Sequence, residues 1–383
     1  MLKKVRKMYE ILENLIRIDT TNPPGNEAKA AEYIGELLER EGFQIEFQEV
    51  GNGRKNVVAT IGEGLKEERI LTGHMDVVPA GGEWSKQPFA MTRENGRIYG
   101  RGSCDMKGAI AAMMAAAMEV SKERESLKTQ KITLAFVCDE EVTGNGSRIF
   151  VKEHIPLPET YVVIGEPTGM QIHVAHRGVC RFQVEIEGVQ THAAMPEQGV
   201  NPILEMGRFL TAVEQFDAER KKKSYGILPP PTITPTIIHA EVKENVIPAK
   251  CKVILDCRTV PGETEEMLRG QITLLFLQCR RDRRAAFRIE TLLNAPVGSS
   301  PVDGKCCQAA QKAMEKVKKG KMAVGYFNGS TDMPIFTENG YEDTIICGPG
   351  SLDMAHQIDE YVEEYELEQA ELFYEMFLSQ SLL

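Results

Sequence analysis

Apolar positions recur along the chain with two different periods, and the style changes twice. Near the start, Met8, Ile11, Leu12, Leu15 and Ile16 follow the i, i+3, i+4 spacing of an amphipathic helix. A second helical stripe (Ala30, Ile34, Leu37, Leu38) ends at Gly42, a residue suited to the position just past a helix. Short apolar runs at 57–61, 70–71, 132–138 and 161–164 predict buried strands. IAAMMAAAM at 110–118 reads as a buried helix, too short to span a bilayer. Alternating strands and helices of this kind predict an α/β layer fold with a mostly parallel sheet.

From Gly178 the period becomes two. Cys180, Phe182, Val184 and Ile186 alternate with polar neighbours, a helix follows at 202–215, and a Pro-rich stretch leads to a strand near Ile237. Cys251, Val253, Leu255 and Cys257 alternate again. Leu268, Ile272, Leu275 and Cys279 share a helix face, and Phe287, Ile289, Thr291 and Leu293 form a last strand. The order β-α-β-β-α-β is the ferredoxin-like pattern. Residues 178–292 are therefore expected to form an α+β domain inserted into a catalytic domain made of 1–177 and 293–383, where a helix at 301–318 and a strand at 344–347 restore the earlier style.

Lys and Arg number 45 against 56 Asp and Glu, a net charge of −11 that argues against nucleic-acid binding. Glu10 and Glu13 interrupt the N-terminal apolar positions, so no signal peptide is expected there. The nine cysteines are odd in number, scattered and without a CxxC pair, which suggests free thiols and a cytoplasmic location, away from any membrane.

The candidate chemistry follows the strands. His74 and Asp76 end one apolar run, Asp139-Glu140-Glu141 another and Glu166 a third. His356 follows a fourth, and Asp105 precedes the Ala/Met helix. In an open α/β sheet ligands bind outside the carboxyl ends of the strands, so these clusters can converge. Adjacent carboxylates repel, and a bound cation would relieve them. In an extended stretch, neighbouring Glu140 and Glu141 would point opposite ways, one to metal and one to water or substrate. Asp76 is placed to fix the His74 ring, directly or through the local network. Two imidazoles and three carboxylates suit Zn²⁺, with Co²⁺ or Mn²⁺ as alternatives. Five donors exceed the needs of one ion, and a bridging carboxylate would serve two.

GHMDVVP, YGRGSCDMKG, CDEEVTGNGS, GEPT, GVQTHAAMPEQGVNP and GPGSLDMAH together resemble the M20 metallopeptidase family, whose members include acetylornithine deacetylases and succinyl-diaminopimelate desuccinylases. The resemblance implies a dizinc exopeptidase-like catalytic domain with an inserted lid and dimerisation domain. It implies that His74, Asp105 and Glu166 hold one cation and that Asp105, Glu141 and His356 hold the other, with Asp105 bridging. It casts Glu140 as general base toward a metal-bridging water, Asp76 as a supporting acid and His192 as the lid histidine that stabilises an oxyanion, often in the partner subunit's site. Arg258, Asn245, Ser330 and Thr331 match substrate-contacting positions. The implied activity is hydrolysis of the amide of an N-acyl amino acid by a homodimer. Desuccinylase, dipeptidase or carboxypeptidase activity on a short peptide is the alternative, and a non-catalytic ligand-binding homologue is a reading of another class.

Overall fold

The computed structural model describes residues 2–379 apart from 124, 241 and 321. It divides into two compact units, Met1–Ala175 with Ser299–Leu383, and His176–Gly298.

The first unit is built on a nine-stranded mixed sheet. Its order is Gln44–Gly51, Arg54–Ile61, Gln130–Val137, Glu67–His74, Glu159–Ile164, Thr344–Ile346, Ile172–His176 and Gly298–Ser299, with Val324–Phe327 also paired to Ile172–His176. The expected parallel arrangement holds at the centre. Glu67–His74 runs parallel to Gln130–Val137 and to Glu159–Ile164, which is parallel to Thr344–Ile346. The flank formed by Arg54–Ile61 and Gln44–Gly51 is antiparallel. Central strands covered on both faces carry continuous apolar runs, which is why they show in the sequence without alternation.

The helix Lys107–Val120 is buried almost all round, as its Ala/Met composition demands. It approaches the sheet over two glycines. A Cβ on Gly73 would lie 2.2 Å from Met106 Cε, and one on Gly165 would lie 2.5 Å from Met113 Cε. Residues of the opposite parity (Ile70, Ala135, Val137, Val162, Ile164) join Phe150, Phe336 and Tyr341 in a separate core cluster on the other face. Leu2–Arg17 and Glu364–Ser379 pack on Lys107–Val120. This packing pins the loop that delivers Asp105.

The second unit has the β-α-β-β-α-β order, with an antiparallel sheet ordered Thr232–His239, Lys250–Thr259, Gly178–Glu187, Ala286–Ala295. Phe182, Val184, Phe209, Ile272 and Phe276 fill its core beneath helices Pro202–Arg220 and Glu265–Cys279. Asn201 and Thr264 cap those helices, each accepting backbone N–H bonds in the first turn. The first helix runs five residues past the expected 215, to Arg220, whose guanidinium pairs with Glu263 at 2.6 Å. All nine cysteines are free thiols. Among the described residues no helix is long and apolar enough to cross a membrane.

Two glycines test this packing in opposite directions. A Cβ on Gly108 would sit 2.3 Å from the Ser103 carbonyl oxygen. Gly108→Ala should therefore destabilise the first unit by about 1–3 kcal/mol, because backbone has to move. Gly207, an exposed position of the helix Pro202–Arg220, has nothing within 4 Å of the same position. Gly207→Ala should stabilise by about 0.5–1 kcal/mol. Calorimetric unfolding should show shifts of opposite sign, and shifts of the same sign would contradict the packing described.

Candidate metal centre

Because the central strands are parallel, their carboxyl ends share one edge of the sheet. His74 is the last residue of its strand, Glu140 and Glu141 follow Val137 by a turn, and Glu166 follows Ile164. The loop after Thr344–Ile346 carries His356, and Asp105 lies just before Lys107–Val120. One donor atom each from His74, Asp105 and Glu141 lie within 4.8 Å of one another, as do those from His74, Glu140 and Glu166.

Asp105 sits between the two imidazoles. Its Oδ1 is 3.0 Å from His74 Nε2, and its Oδ2 is 3.4 Å from His356 Nε2. Glu166 Oε1 stands 3.7 Å from His74 Nε2, and Glu141 Oε1 stands 3.1 Å from His356 Nε2. Donors around a tetrahedral cation with bonds of about 2.0–2.1 Å stand about 3.3 Å apart, inside this range. His74 Nδ1 donates to the Asp76 carbonyl oxygen at 2.9 Å. A carbonyl only accepts, so neutral His74 keeps its proton on Nδ1 and turns a lone pair on Nε2 toward the carboxylates. This donor set fits two divalent cations, with Asp105 shared.

Asp76 meets the His74 ring through its backbone carbonyl, and its carboxylate serves the surrounding network. That carboxylate is 3.7 Å from His74 Nδ1, whereas it accepts the backbone N–H of Glu140 and of Glu141, each at 3.2 Å. Asn22 Nδ2 donates to the same carboxylate at 2.8 Å and to Asp139 Oδ1 at 3.0 Å. Asp139 also accepts from Arg54 at 2.9 Å, and Arg54 in turn pairs with the buried Glu27. Asp139 has φ +70°, in the left-handed region. The strand therefore ends at Val137, and Glu140 and Glu141 lie in a turn. The expectation that extended alternation separates them is overturned, since the turn lets both face the cluster.

Crowding of acids governs the electrostatics. Burial pushes Glu140 well above the usual carboxylate range, and Glu166 and Asp332 add to that against the pull of His74. Burial and the Asp105 charge do the same to Glu166. Burial opposes a charge on His74, yet Asp105 and Glu166 outweigh it and hold the imidazole well above its ordinary value. Hydrogen bonds to Asp105 and Glu141 push His356 up to about 10. Asp105 is buried, but the two imidazoles hold it below the usual carboxylate range. The crowded carboxylates thus favour positive charge in the cluster.

The remaining expected residues fall in several places. Thr331 Oγ1 accepts the Met333 N–H at 3.1 Å, where a short helix begins, while Ser330 is exposed. In the second unit the exposed His192 and Asn245 come together, where Thr191–His192 pairs with Val246–Ile247 and the Ala193 N–H donates to the Asn245 carbonyl at 2.9 Å. Arg258 is tied to Asp256 at 3.0 Å. Sequence reasoning passed over Asn22, Glu360 and Asp332. Buried Asp332 accepts from Ser147 at 2.5 Å, and burial pushes its carboxyl up to about 6 despite that bond. The polar NPPG turn around Asn22 and the acid following His356 were the available signals.

Cation binding at this centre has to expel protons from the imidazoles and from Glu166. Affinity should therefore rise with pH below the His356 value of about 10. Calorimetric titration of metal-free protein with Zn²⁺ should give heats that depend on the ionisation enthalpy of the buffer. Affinity should fall between about pH 8 and about pH 6. Heats independent of buffer would contradict the proton displacement.

The chain matches the family described as peptidase family M20/M25/M40 over residues 70–380. It is 31% identical over 366 residues to the acetylornithine deacetylase of Vibrio atlanticus, covering 93% of each chain. To that of Myxococcus xanthus it is 30% identical over 375 residues, covering 94% of this chain and 93% of the relative. The crystal structure of aminopeptidase PepT from Bacillus cereus has the same fold, with a TM-score of 0.80 and 18% identity over 98% of this chain and 99% of that one. Bacillus subtilis YXEP, described as a dinuclear metal binding peptidase from the M20 family, gives 0.75 and 17% over 99% and 98%. With the family match spanning most of the chain and relatives of about 31% identity along nearly its full length, the chain belongs to peptidase family M20/M25/M40.

Proposed function

We propose that this chain hydrolyses the amide bond of an N-acyl amino acid, with two divalent cations held by His74, Glu166, Asp105, Glu141 and His356. The observation that carries this reading is the placement of Asp105, with one carboxylate oxygen toward each imidazole. The similarity to acetylornithine deacetylases supports the substrate class. Zn²⁺ is the proposed metal, since imidazole and carboxylate donors without thiolate suit it, with Co²⁺ and Mn²⁺ as substitutes. When bound, the cations supply a polarised substrate carbonyl and a water acidic enough to attack it.

Glu140 performs the proton work. Its backbone N–H is tied to Asp76, which fixes the turn, and its carboxylate shares the cluster with His74 and Glu166. It takes a proton from the attacking water and delivers it to the departing amine. Asp76 positions both glutamates through their backbones, a task that needs an acceptor with two oxygens. His192 is assigned to donate a hydrogen bond to the oxyanion as the acyl carbon becomes tetrahedral. Arg258, Asn245, Ser330 and Thr331 are assigned to the substrate's carboxylate and amide. We place the chain in the cytoplasm as a homodimer. The free cysteines favour a reducing compartment, and Ile237 and Ile238, 63% and 58% exposed on the edge strand Thr232–His239, favour pairing with a second copy.

Three experiments check the assignment. Amine release from N-acetylornithine, N-succinyl-diaminopimelate, other N-acyl amino acids and dipeptides should be abolished by chelation and restored by Zn²⁺ or Co²⁺, with N-acetyl substrates preferred. Preference for dipeptides would move the assignment to a peptidase. Glu140→Ala should keep its metal content and lose about 10²–10⁴-fold in kcat. Normal turnover would remove Glu140 from the base role. Mixed dimers of His192→Ala and Glu140→Ala subunits should regain activity if His192 acts across the dimer, and verified mixed dimers without rescue would overturn that arrangement.

A further inference from the structure

We infer that Glu360 is a positioning residue that sets how tightly Asp105 and His356 hold a divalent cation, by fixing the backbone of the loop 101–105. This rests on the two-cation reading of the centre. Glu360 is fully buried. Its Oε1 accepts three backbone N–H bonds, from Gly102 at 3.1 Å, Cys104 at 2.9 Å and Asp105 at 3.0 Å. Its Oε2 pairs with Arg101 at 2.5 Å. Its own carbonyl accepts the Gly100 N–H at 3.0 Å and the Ser103 hydroxyl at 3.4 Å. One residue thus grips the whole turn that ends in Asp105.

Arg101 extends the grip to two further loops. It is 1% exposed, and besides Glu360 it donates to the carbonyls of Pro79 at 3.2 Å, Ala80 at 3.1 Å and Gln357 at 3.3 Å. Its guanidinium lies 5.0 Å over the Trp84 ring. The pair therefore ties together the segment after His74 and Asp76, the Asp105 loop and the segment just past His356. Burial raises the Glu360 carboxyl. Every group against its side-chain oxygens is nevertheless a donor, so the carboxylate is the form this pocket accommodates. His356 itself has φ +64°, a conformation that persists only where its surroundings hold it.

A shared carboxylate tolerates little error. Its two oxygens must meet two separate imidazoles, at 3.0 and 3.4 Å here, and a small rotation of the loop would favour one at the expense of the other. Groups behind the ligands of a metal typically change affinity by about 10–100-fold when removed. Glu360 stands behind Asp105 through its backbone and behind His356 through the three residues that separate them.

The test compares Zn²⁺ affinity of metal-free wild type, Glu360→Gln and Glu360→Asp by competition with a chromophoric chelator, with circular dichroism to establish folding. Glu360→Gln removes the charge. Glu360→Asp keeps a charge for Arg101 and withdraws the oxygens by one methylene. Both should lose about 10–100-fold in affinity for at least one cation, and kcat should fall more than KM changes. Glu205→Gln is the control for general loss of stability. Its carboxylate is also buried and also accepts backbone N–H bonds, from Arg281 at 3.0 Å and Asp282 at 3.3 Å in the second unit. That variant should melt earlier with unchanged Zn²⁺ affinity. Wild-type affinity in either folded Glu360 variant overturns the inference. Failure of the wild type to bind Zn²⁺ would instead overturn the two-cation reading beneath it.

Discussion

Repulsion among buried acids is the constraint around which the first unit is organised. Asp105, Glu140, Glu141 and Glu166 meet at the carboxyl edge of the parallel strands, with Asp332 among the charges that act on Glu140 and Glu166. Such a cluster is unfavourable unless positive charge enters it, because taking carboxylates out of water is costly. The carboxylates hold the His74 and His356 imidazoles above their ordinary values for that reason, and two cations would supply the charge more completely. The supporting structure consists largely of donors aimed at acids: Asn22 and Arg54 at Asp76 and Asp139, Ser147 at Asp332, and Arg101 with three amides at Glu360.

This arrangement explains how chemistry carried on loops is nevertheless held in place. Each one leaves a buried strand or enters a buried helix, and each is tied to another by a charge-assisted bond. The segment near Asn22 reaches both Asp76 and Asp139, so the stretch after the first helix serves the site although it carries no candidate ligand. Lys107 does comparable work on the other side of Asp105. Its buried ammonium donates to the Leu15 and Ile18 carbonyls at 2.9 and 2.8 Å, where the first helix ends. Burial brings that lysine down to about 7.

Much of this was legible in the sequence because central parallel strands are apolar on both faces and stop where polar residues begin. His74, Glu140, Glu141 and Glu166 each follow such a stop, and the short-range pattern locates them. The direction of the Glu140 side chain was not legible. It depends on the left-handed conformation of Asp139, which is held by Arg54 of the neighbouring strand, 85 residues away in sequence. That the Asp76 carboxylate takes the amides of residues 140 and 141 as partners was not legible either. Only the fold shows that Glu360 and Asp332 are buried. The second unit was read more fully, since half-buried antiparallel strands alternate visibly, although its first helix was placed five residues short.

The central claim is that Asp105 is shared between two cations. Anomalous diffraction from crystals of the zinc-loaded protein tests it most directly. The account predicts two peaks about 3.5–4 Å apart, one beside His74 and Glu166 and the other beside His356 and Glu141, with the Asp105 carboxylate between them. A single fully occupied peak, or two peaks of which neither approaches Asp105, would contradict it.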